Sequence, residues 1–164
     1  MIVMRKYFFC FICLFFCSCG LLWEGSIAYV GKWGYENSTD VDLIVCMEII
    51  GLNEWGEKCN EVSENIVTSG DVLWSIFETS NQDELNFHKH FYRLENIYEC
   101  KVWLMNSNKE VLKLWVMGED NGFHDIFDED EWSYNDSGAG KDGIPYQREW
   151  TFTITDADIG LSPK

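Results

Sequence analysis

The feature that most constrains the fold is a strict alternation of apolar and polar residues in several short segments. In the segment REWTFTIT near the C-terminus, Trp150, Phe152 and Ile154 alternate with threonines. A period of two places the apolar side chains on one face of a β-strand, and threonine suits the other face because it is β-branched and polar. Similar patterns predict strands at residues 27–35, 41–50, 65–68 and 72–79.

Residues 98–117 predict a hairpin, with two strands around the sequence NSN. A three-residue loop with Asn108 in the left-handed region is a common hairpin geometry. It pairs Val102 with Leu112, and this register directs every charged side chain of the hairpin away from the core.

The same register predicts a candidate binding surface. It places Trp103 and Trp115 side by side on the charged face. Lys113 then lies diagonal to Trp103, and Lys101 lies diagonal to Trp115, so cation–π contacts are geometrically available. Two exposed indoles form a stacking platform for a sugar or a peptide. If a helix or loop covers this face, the same indoles form a second core layer instead.

One helix is expected over residues 82–94. Asn81 can cap it with Glu84 three residues later, which is the capping-box pattern. Two buried stripes are compatible with this helix, Leu85, His88 and Tyr92 or Phe87, Phe91 and Leu94. Many short strands with one peripheral helix predict an all-β domain, an antiparallel β-sandwich that is immunoglobulin- or transthyretin-like in outline.

The N-terminus has the layout of a secretory signal. Arg5 and Lys6 precede eleven residues, 7–17, without a charge. A membrane-spanning helix needs about 20 apolar residues, so a cleaved signal is favoured over an uncleaved anchor, which stays the alternative. The predicted division is a signal peptide at 1–18, a tether at 19–25 and a single domain at 26–164.

The end of this segment resembles the lipobox of bacterial lipoproteins, in which a small residue precedes the lipidated cysteine. Phe16-Cys17-Ser18-Cys19 fits that pattern, whereas bulky residues precede Cys13 and Cys17. The resemblance implies cleavage before Cys19 and acylation of its thiol and amino groups by fatty acids such as palmitate. More than one acyl chain makes membrane anchoring stable.

The chain also resembles small lipoproteins of Bacteroidota-type anaerobes that carry a β-sandwich domain. The likeness rests on the signal, the hairpin VWLMNSNKEVLKLW and the ending REWTFTITDADIG. It implies a lipid anchor in the cell envelope, at the outer membrane, and it brings no catalytic or binding residues. Members exported to the surface often carry an acidic cluster after the lipidated cysteine. Residues 20–24 contain one acid, so the periplasmic and surface placements both stay open.

Composition excludes some partners. The formal net charge of −16 argues against nucleic acid, and against charge-driven binding to anionic lipid, because both require basic patches. Within the domain, Cys46, Cys59 and Cys100 allow at most one disulfide, and no spacing selects a pair.

Two segments suggest metal ligands. The acidic sequence GEDNGFHDIFDEDEW could supply oxygen ligands to a weak calcium site, with Asp128 and Asp130 as the candidates. The spacing of an EF-hand is absent, and a solvated loop is the favoured interpretation. His88 and His90 do not share a helix face, which disfavours zinc.

No Gly-x-Ser-x-Gly elbow, metalloprotease helix or phosphate-binding loop occurs, so a non-catalytic protein is expected, with a small enzyme as a minor alternative. Two functions remain. The first is a lipid-anchored envelope domain that contacts a protein or a glycan. The second is a surface-displayed glycan- or adhesin-type module that uses Trp103 and Trp115.

Overall fold

The computed structural model describes residues 29–53, 55–91, 95–138 and 146–161. Strands account for most of the regular structure. They are β1 (Tyr29–Asn37), β2 (Leu43–Leu52), β3 (Lys58–Val67), β4 (Val72–Thr79), β5 (Glu95–Met105), β6 (Val111–Val116), β7 (Ser133–Asp136) and β8 (Tyr146–Ile154). Short 3-10 turns lie at Gln82–Glu84, Phe87–His90 and Glu129–Glu131.

The strands form two four-stranded sheets. Sheet A has the order β4-β1-β8-β7, and sheet B has the order β3-β2-β5-β6. Their inner faces share one hydrophobic core, so the described residues form a β-sandwich. The expected all-β sandwich is confirmed at this level. Pairing is antiparallel except between β1 and β8, which run parallel.

Alternation along the strands builds the core. In sheet A, Trp33 on β1 pairs with Trp150 on β8, and their rings stack with centroids 5.2 Å apart. Sheet B contributes the inward-facing residues of β2, β5 and β6, among them Leu43, Val102 and Trp115. These five side chains are each at most 2% exposed.

The predicted strands correspond unevenly to the observed ones. The segment 72–79 is β4, and 41–50 is β2 displaced by two residues. The segment 65–68 is only the end of β3, which begins at Lys58. Nearly every residue of β3 is exposed, including those that face inward, and the strand therefore lacks the apolar alternation that would have revealed it.

The helix expected over 82–94 is wrong in its described part, where two 3-10 turns stand instead. Asn81 and Asn86 each begin one turn by accepting a backbone N–H from a residue two or three positions ahead. Asn86 has an extended backbone (φ −134°, ψ 159°), which interrupts any continuous helix.

Neither of the two predicted buried stripes of that helix is found alone, because buried residues come from both. Leu85, Phe87 and Phe91 are all buried, although they come from different stripes. His88 is exposed, and residues 92–94 lie outside the described residues.

The predicted hairpin forms, but its register differs by three residues from the expected one. Val102 pairs with Trp115, not with Leu112. The left-handed residue of the connection is Lys109 (φ 63°), not Asn108. An odd shift moves the side chains of β6 to the opposite face of the sheet.

No disulfide joins any two of Cys46, Cys59 and Cys100. Cys46 is buried on the outer face of sheet B against Ile44 and Met105, whereas Cys100 lies in the core between the sheets. Cys59 is partly exposed near the start of β3.

Candidate functional site

The predicted anchor cannot be located, because Cys19, the signal at 1–18 and the tether at 19–25 lie outside the described residues. In the part of the chain that the structure describes, no helix is long and apolar enough to cross a membrane.

The predicted platform of two indoles is wrong. Trp115 is completely buried between the sheets. Trp103 pairs with Leu114 on the opposite, outer face of sheet B, where it packs against Ile44, Cys46 and Met105. The three-residue change of register separates the two indoles, so they do not form a common stacking surface.

The two lysines assigned to that platform also have other partners. Lys113 Nζ lies 5.4 Å from the ring centroid of Trp115, not over Trp103 as predicted. It also donates to the carbonyl oxygen of Phe123 at 3.5 Å. Lys101 Nζ forms an ion pair with the Glu99 carboxylate, and this hydrogen bond raises the pKa of Lys101.

The two candidate calcium ligands do not converge. Asp128 Oδ1 accepts the backbone N–H of Asp130 at 3.0 Å and begins the 3-10 turn Glu129–Glu131. Both carboxylates are exposed. Among the described residues, no group of three or more His, Cys, Asp or Glu side chains is arranged to hold a metal ion.

The acidic loop is instead fixed to the core by tryptophans, a feature that sequence reasoning missed. The indole N–H of Trp115 donates to the carbonyl of His124 at 2.8 Å. Trp132 donates in the same way to Ile126 at 2.9 Å, and Trp150 donates to a carboxylate oxygen of Glu129 at 3.0 Å. The loop is therefore bonded along its length to side chains of the core.

His124 connects the acidic loop to the C-terminal part of the domain. Its Nδ1 lies 2.9 Å from both carboxylate oxygens of Asp158, and its ring stacks on Phe152 with centroids 4.2 Å apart. Asp158 is 4% exposed, and it also accepts the backbone N–H of Thr155 at 2.9 Å. This buried pair ties the loop to the turn at 156–160.

His88 and His90, the histidines weighed for zinc, are separated by their environments. His88 is exposed, whereas His90 is 2% exposed and its Nε2 lies 2.6 Å from the hydroxyl oxygen of Tyr35. The His90 ring also stacks on Trp33, with centroids 5.4 Å apart.

A cavity of about 190 Å³ reaches this buried histidine. It opens between β3 and β4, which are edge strands of the two sheets on the same side of the sandwich. We call it the seam cleft, and nine of the described residues line it: Tyr35, Val45, Met47, Ser63, Asn65, Leu73, Trp74, Ser75 and His90.

The base of the seam cleft is polar and rigid. Tyr35 and His90 are both at least nine-tenths buried and hydrogen-bonded to each other. The indole N–H of Trp33 donates to the carbonyl of Phe87 at 3.1 Å, which fixes the 3-10 turn that carries His90. The sequence interval between Tyr35 and His90 is too long for any local pattern to have indicated this pair.

The chemistry of the lining is distinctive for so acidic a chain. None of the nine residues is Asp, Glu, Lys or Arg. Serine hydroxyls and an amide at Ser63, Ser75 and Asn65 accompany aliphatic and thioether groups. An apolar cavity with a few placed polar groups is the usual composition of a small-molecule site.

A wider, more open groove continues from the seam cleft along β3. It shares Met47 and Ser63 with the cleft, and it has a volume of about 440 Å³. Of the described residues that line this groove, Glu61 is the one that carries a charge. The exposed inner face of β3 therefore forms a wall of the approach to the buried histidine.

Comparison with known proteins adds no assignment: neither a protein-family model nor a curated protein matches the chain.

Proposed function

We propose that the chain is a lipid-anchored protein of the cell envelope, attached through Cys19, whose β-sandwich is a non-catalytic binding domain. The N-terminal sequence supports the anchor, since a basic start, a short apolar stretch and Ser18 before Cys19 match a lipoprotein signal. We also propose that the two-sheet fold is immunoglobulin- or transthyretin-like in outline and that the anchor lies in the outer membrane.

The seam cleft is the observation that carries the binding assignment. It combines a buried hydrogen-bonding pair, Tyr35 and His90, with an uncharged wall. Such a cavity selects a small neutral ligand, because a charged group would lose its hydration without gaining an ion pair.

The anchor is tested by changing one cysteine. Cys19→Ala should move the protein from the detergent phase of a Triton X-114 extraction to the aqueous phase, because lipid attachment is lost. Cys17→Ala is the matched control and should partition as the unchanged protein does. Unchanged partitioning of Cys19→Ala would indicate an uncleaved N-terminal helix.

The cleft is tested by filling it. Ser63 is an exposed residue of β3 that lines the opening, so Ser63→Phe should block entry and leave the fold intact. A thermal-shift screen with neutral monosaccharides and nucleosides should give compounds that stabilise the unchanged protein and not this variant. Ser133→Phe, at an exposed position on the edge strand β7, is the control. Compounds that stabilise Ser63→Phe equally would contradict the assignment.

A further inference from the structure

The outer face of sheet A has a composition unlike that of the seam cleft. Residues that alternate with the inward-facing Trp33 and Tyr35 point away from the core, and the same rule holds on the paired strands β4 and β8. We call the central part of this surface the Trp74 face: Lys32, Gly34, Glu36, Val72, Trp74, Ile76, Gln147, Glu149, Thr151 and Thr153.

Trp74 lies across Gly34 on this face. The two residues are direct partners between β4 and β1. A Cβ atom added at Gly34 would lie 2.8 Å from Cζ3 of Trp74, so the indole occupies the space that any larger residue would need. An aromatic ring that covers a strand glycine lies against the sheet. Trp74 nevertheless keeps 41% of its surface exposed.

Polar groups stand on both sides of this indole and are already ordered. Lys32 Nζ forms an ion pair with Glu149 at 2.9 Å and donates to Gln147 Oε1 at 3.3 Å. Beyond the indole, Thr153 Oγ1 donates to Glu36 Oε2 at 2.8 Å. The mutual hydrogen bonds hold these side chains in place before any ligand arrives, which lowers the entropy cost of binding.

The spacing of these groups is that of a sheet. Neighbouring strands lie about 4.8 Å apart, and same-face residues along one strand lie about 6.8 Å apart. The Cα atoms of Lys32 and Glu36 therefore lie about 7 Å from that of Gly34, and those of Glu149 and Thr153 lie about 8 Å from it, whereas Gln147 lies farther away. Thr151 on β8 is the direct partner of Gly34. Because threonine has a short side chain and glycine has none, the surface of the sheet is low and flat at these two positions.

The geometry points to the Trp74 face as a carbohydrate-binding surface for a neutral saccharide. A pyranose ring presents an apolar C–H face, which can stack on an exposed indole, and peripheral hydroxyls, which both donate and accept hydrogen bonds. The Lys32–Glu149 and Glu36–Thr153 pairs supply both kinds of partner. The net charge of −16 repels anionic polysaccharides.

The composition favours a saccharide over a protein partner. Protein interfaces depend on a desolvated core of several large apolar side chains. The apolar residues of the Trp74 face are Val72, Trp74 and Ile76, all on the edge strand β4, and the remainder is charged, amide, threonine or glycine. This surface is distinct from the paired indoles predicted from the sequence. It adjoins the seam cleft, because Trp74 also lines the opening of that cleft.

The test uses the full chain, purified in detergent, on an array of neutral oligosaccharides, followed by titration of the bound glycan. Trp74→Ala should weaken that binding at least tenfold, while Trp74→Tyr should retain part of it because a ring remains. Trp55→Ala, which removes an indole that is 75% exposed elsewhere, should bind as the unchanged protein does.

Two further variants separate the possibilities. Gly34→Ala should displace the indole and weaken glycan binding, with circular dichroism and thermal midpoint confirming that the variant folds. Thr153→Ala removes a hydroxyl of the Trp74 face that does not line the seam cleft, so it should weaken glycan binding and leave thermal stabilisation by cleft ligands unchanged. The two proposals can therefore fail separately. Absence of any bound glycan, or equal binding by Trp74→Ala, would overturn the proposal.

Discussion

At the scale of single residues, tryptophan has two roles in this molecule. Trp115, Trp132 and Trp150 fill the core between the sheets, and each is at most 5% exposed. The N–H group of each indole is also directed at the acidic loop, where it finds a carbonyl or carboxylate oxygen. A buried indole needs such a partner, and the loop supplies one.

The first prediction concerns the hydrogen bond between a buried indole N–H and the acidic loop. Trp115→Phe keeps a buried ring but leaves the carbonyl of His124 without its indole donor. We expect the free energy of unfolding to fall by about 2–4 kcal/mol, through the lost hydrogen bond and the smaller ring. Chemical denaturation measures it. Trp55→Phe, at an exposed position, should change it by less than about 0.5 kcal/mol. Equal effects would contradict the role assigned to the indole N–H.

The second prediction concerns the thiol of Cys46. Burial, and then repulsion from the Glu64 carboxylate, raise its pKa to about 11. The thiol is therefore neutral at pH 8, and only the thiolate is alkylated. Peptide mass spectrometry after iodoacetamide treatment at pH 8 should show Cys46 protected, because its thiol is neutral and buried, and the partly exposed Cys59 modified, because the reagent can reach it. Equal modification of both at pH 8 would contradict this account.

The same pKa shift has a consequence for stability. The pKa of Cys46 in the folded state lies above the ordinary value of 9.0. Its contribution to the free energy of unfolding is therefore fully present below pH 9. It is lost as the pH rises through about 11, since unfolding then releases a proton that the folded thiol retains.

At the scale of elements, the hairpin between β5 and β6 shows how a turn sets register. Asn106 Oδ1 accepts the backbone N–H groups of Asn108 at 2.9 Å and Glu110 at 3.0 Å. This closes a longer connection than the three residues expected and moves the left-handed position to Lys109. The turn pairs Met105 with Val111, a shift of two residues that keeps side chains on their expected faces. A bulge between Leu104 and Met105 adds the third residue of the shift and moves the side chains of β6 to the opposite face.

The environment of Lys113 shows why the hairpin register predicted from charge was wrong. The predicted register was chosen because it removed this charge from the inner face. In the structure, Lys113 pairs with the inward-facing Leu104. Its long side chain reaches the carbonyl of Phe123 and the ring of Trp115, so the ammonium group is accommodated at the edge of the core.

The third prediction tests the turn. Lys109 has a φ of 63°, a conformation that costs an L-residue about 1 kcal/mol or more. Lys109→Gly should therefore raise the free energy of unfolding by up to about 1 kcal/mol. Lys109→Ala is the control, since it removes the exposed ion pair with Glu64 and keeps the strained conformation. If glycine and alanine give the same stability, backbone strain at this position is not significant.

The strands that could be predicted are those whose two faces differ in environment. β4 and β8 alternate clearly, and both were found from that pattern. β3 was mostly missed because its inward residues Ser63 and Asn65 are exposed and polar, so the strand shows no apolar alternation. The expected helix was wrong because Asn86, with its extended backbone, divides the segment into two turns.

At the scale of the whole molecule, the sequence predicted the layers but not their contacts. The parallel pairing of β1 with β8 joins two strands from opposite ends of the domain, and no local pattern contains that information. The seam cleft is assembled from four strands and a 3-10 turn, so it also depends on long-range packing. Composition indicated an acidic surface, whereas the uncharged cleft emerges only from the arrangement in space.

The fourth prediction follows from this distribution of charge. Because none of the described residues that line the seam cleft is Asp, Glu, Lys or Arg, the affinity of a neutral ligand there should change less than about twofold between 20 mM and 500 mM NaCl. Isothermal titration at the two salt concentrations measures it, with a charged analogue of the same ligand as the control. A strong salt dependence for the neutral ligand would place binding on the acidic surface instead.

The central proposal is that a lipid on Cys19 holds the domain at a membrane. Intact-mass spectrometry of the protein, isolated from the membranes of a bacterium that processes lipoproteins, tests it most directly. We predict a chain that begins at Cys19 and carries the added mass of two or more acyl chains. A chain that retains residues 1–18, or one that begins elsewhere without lipid, would contradict the claim.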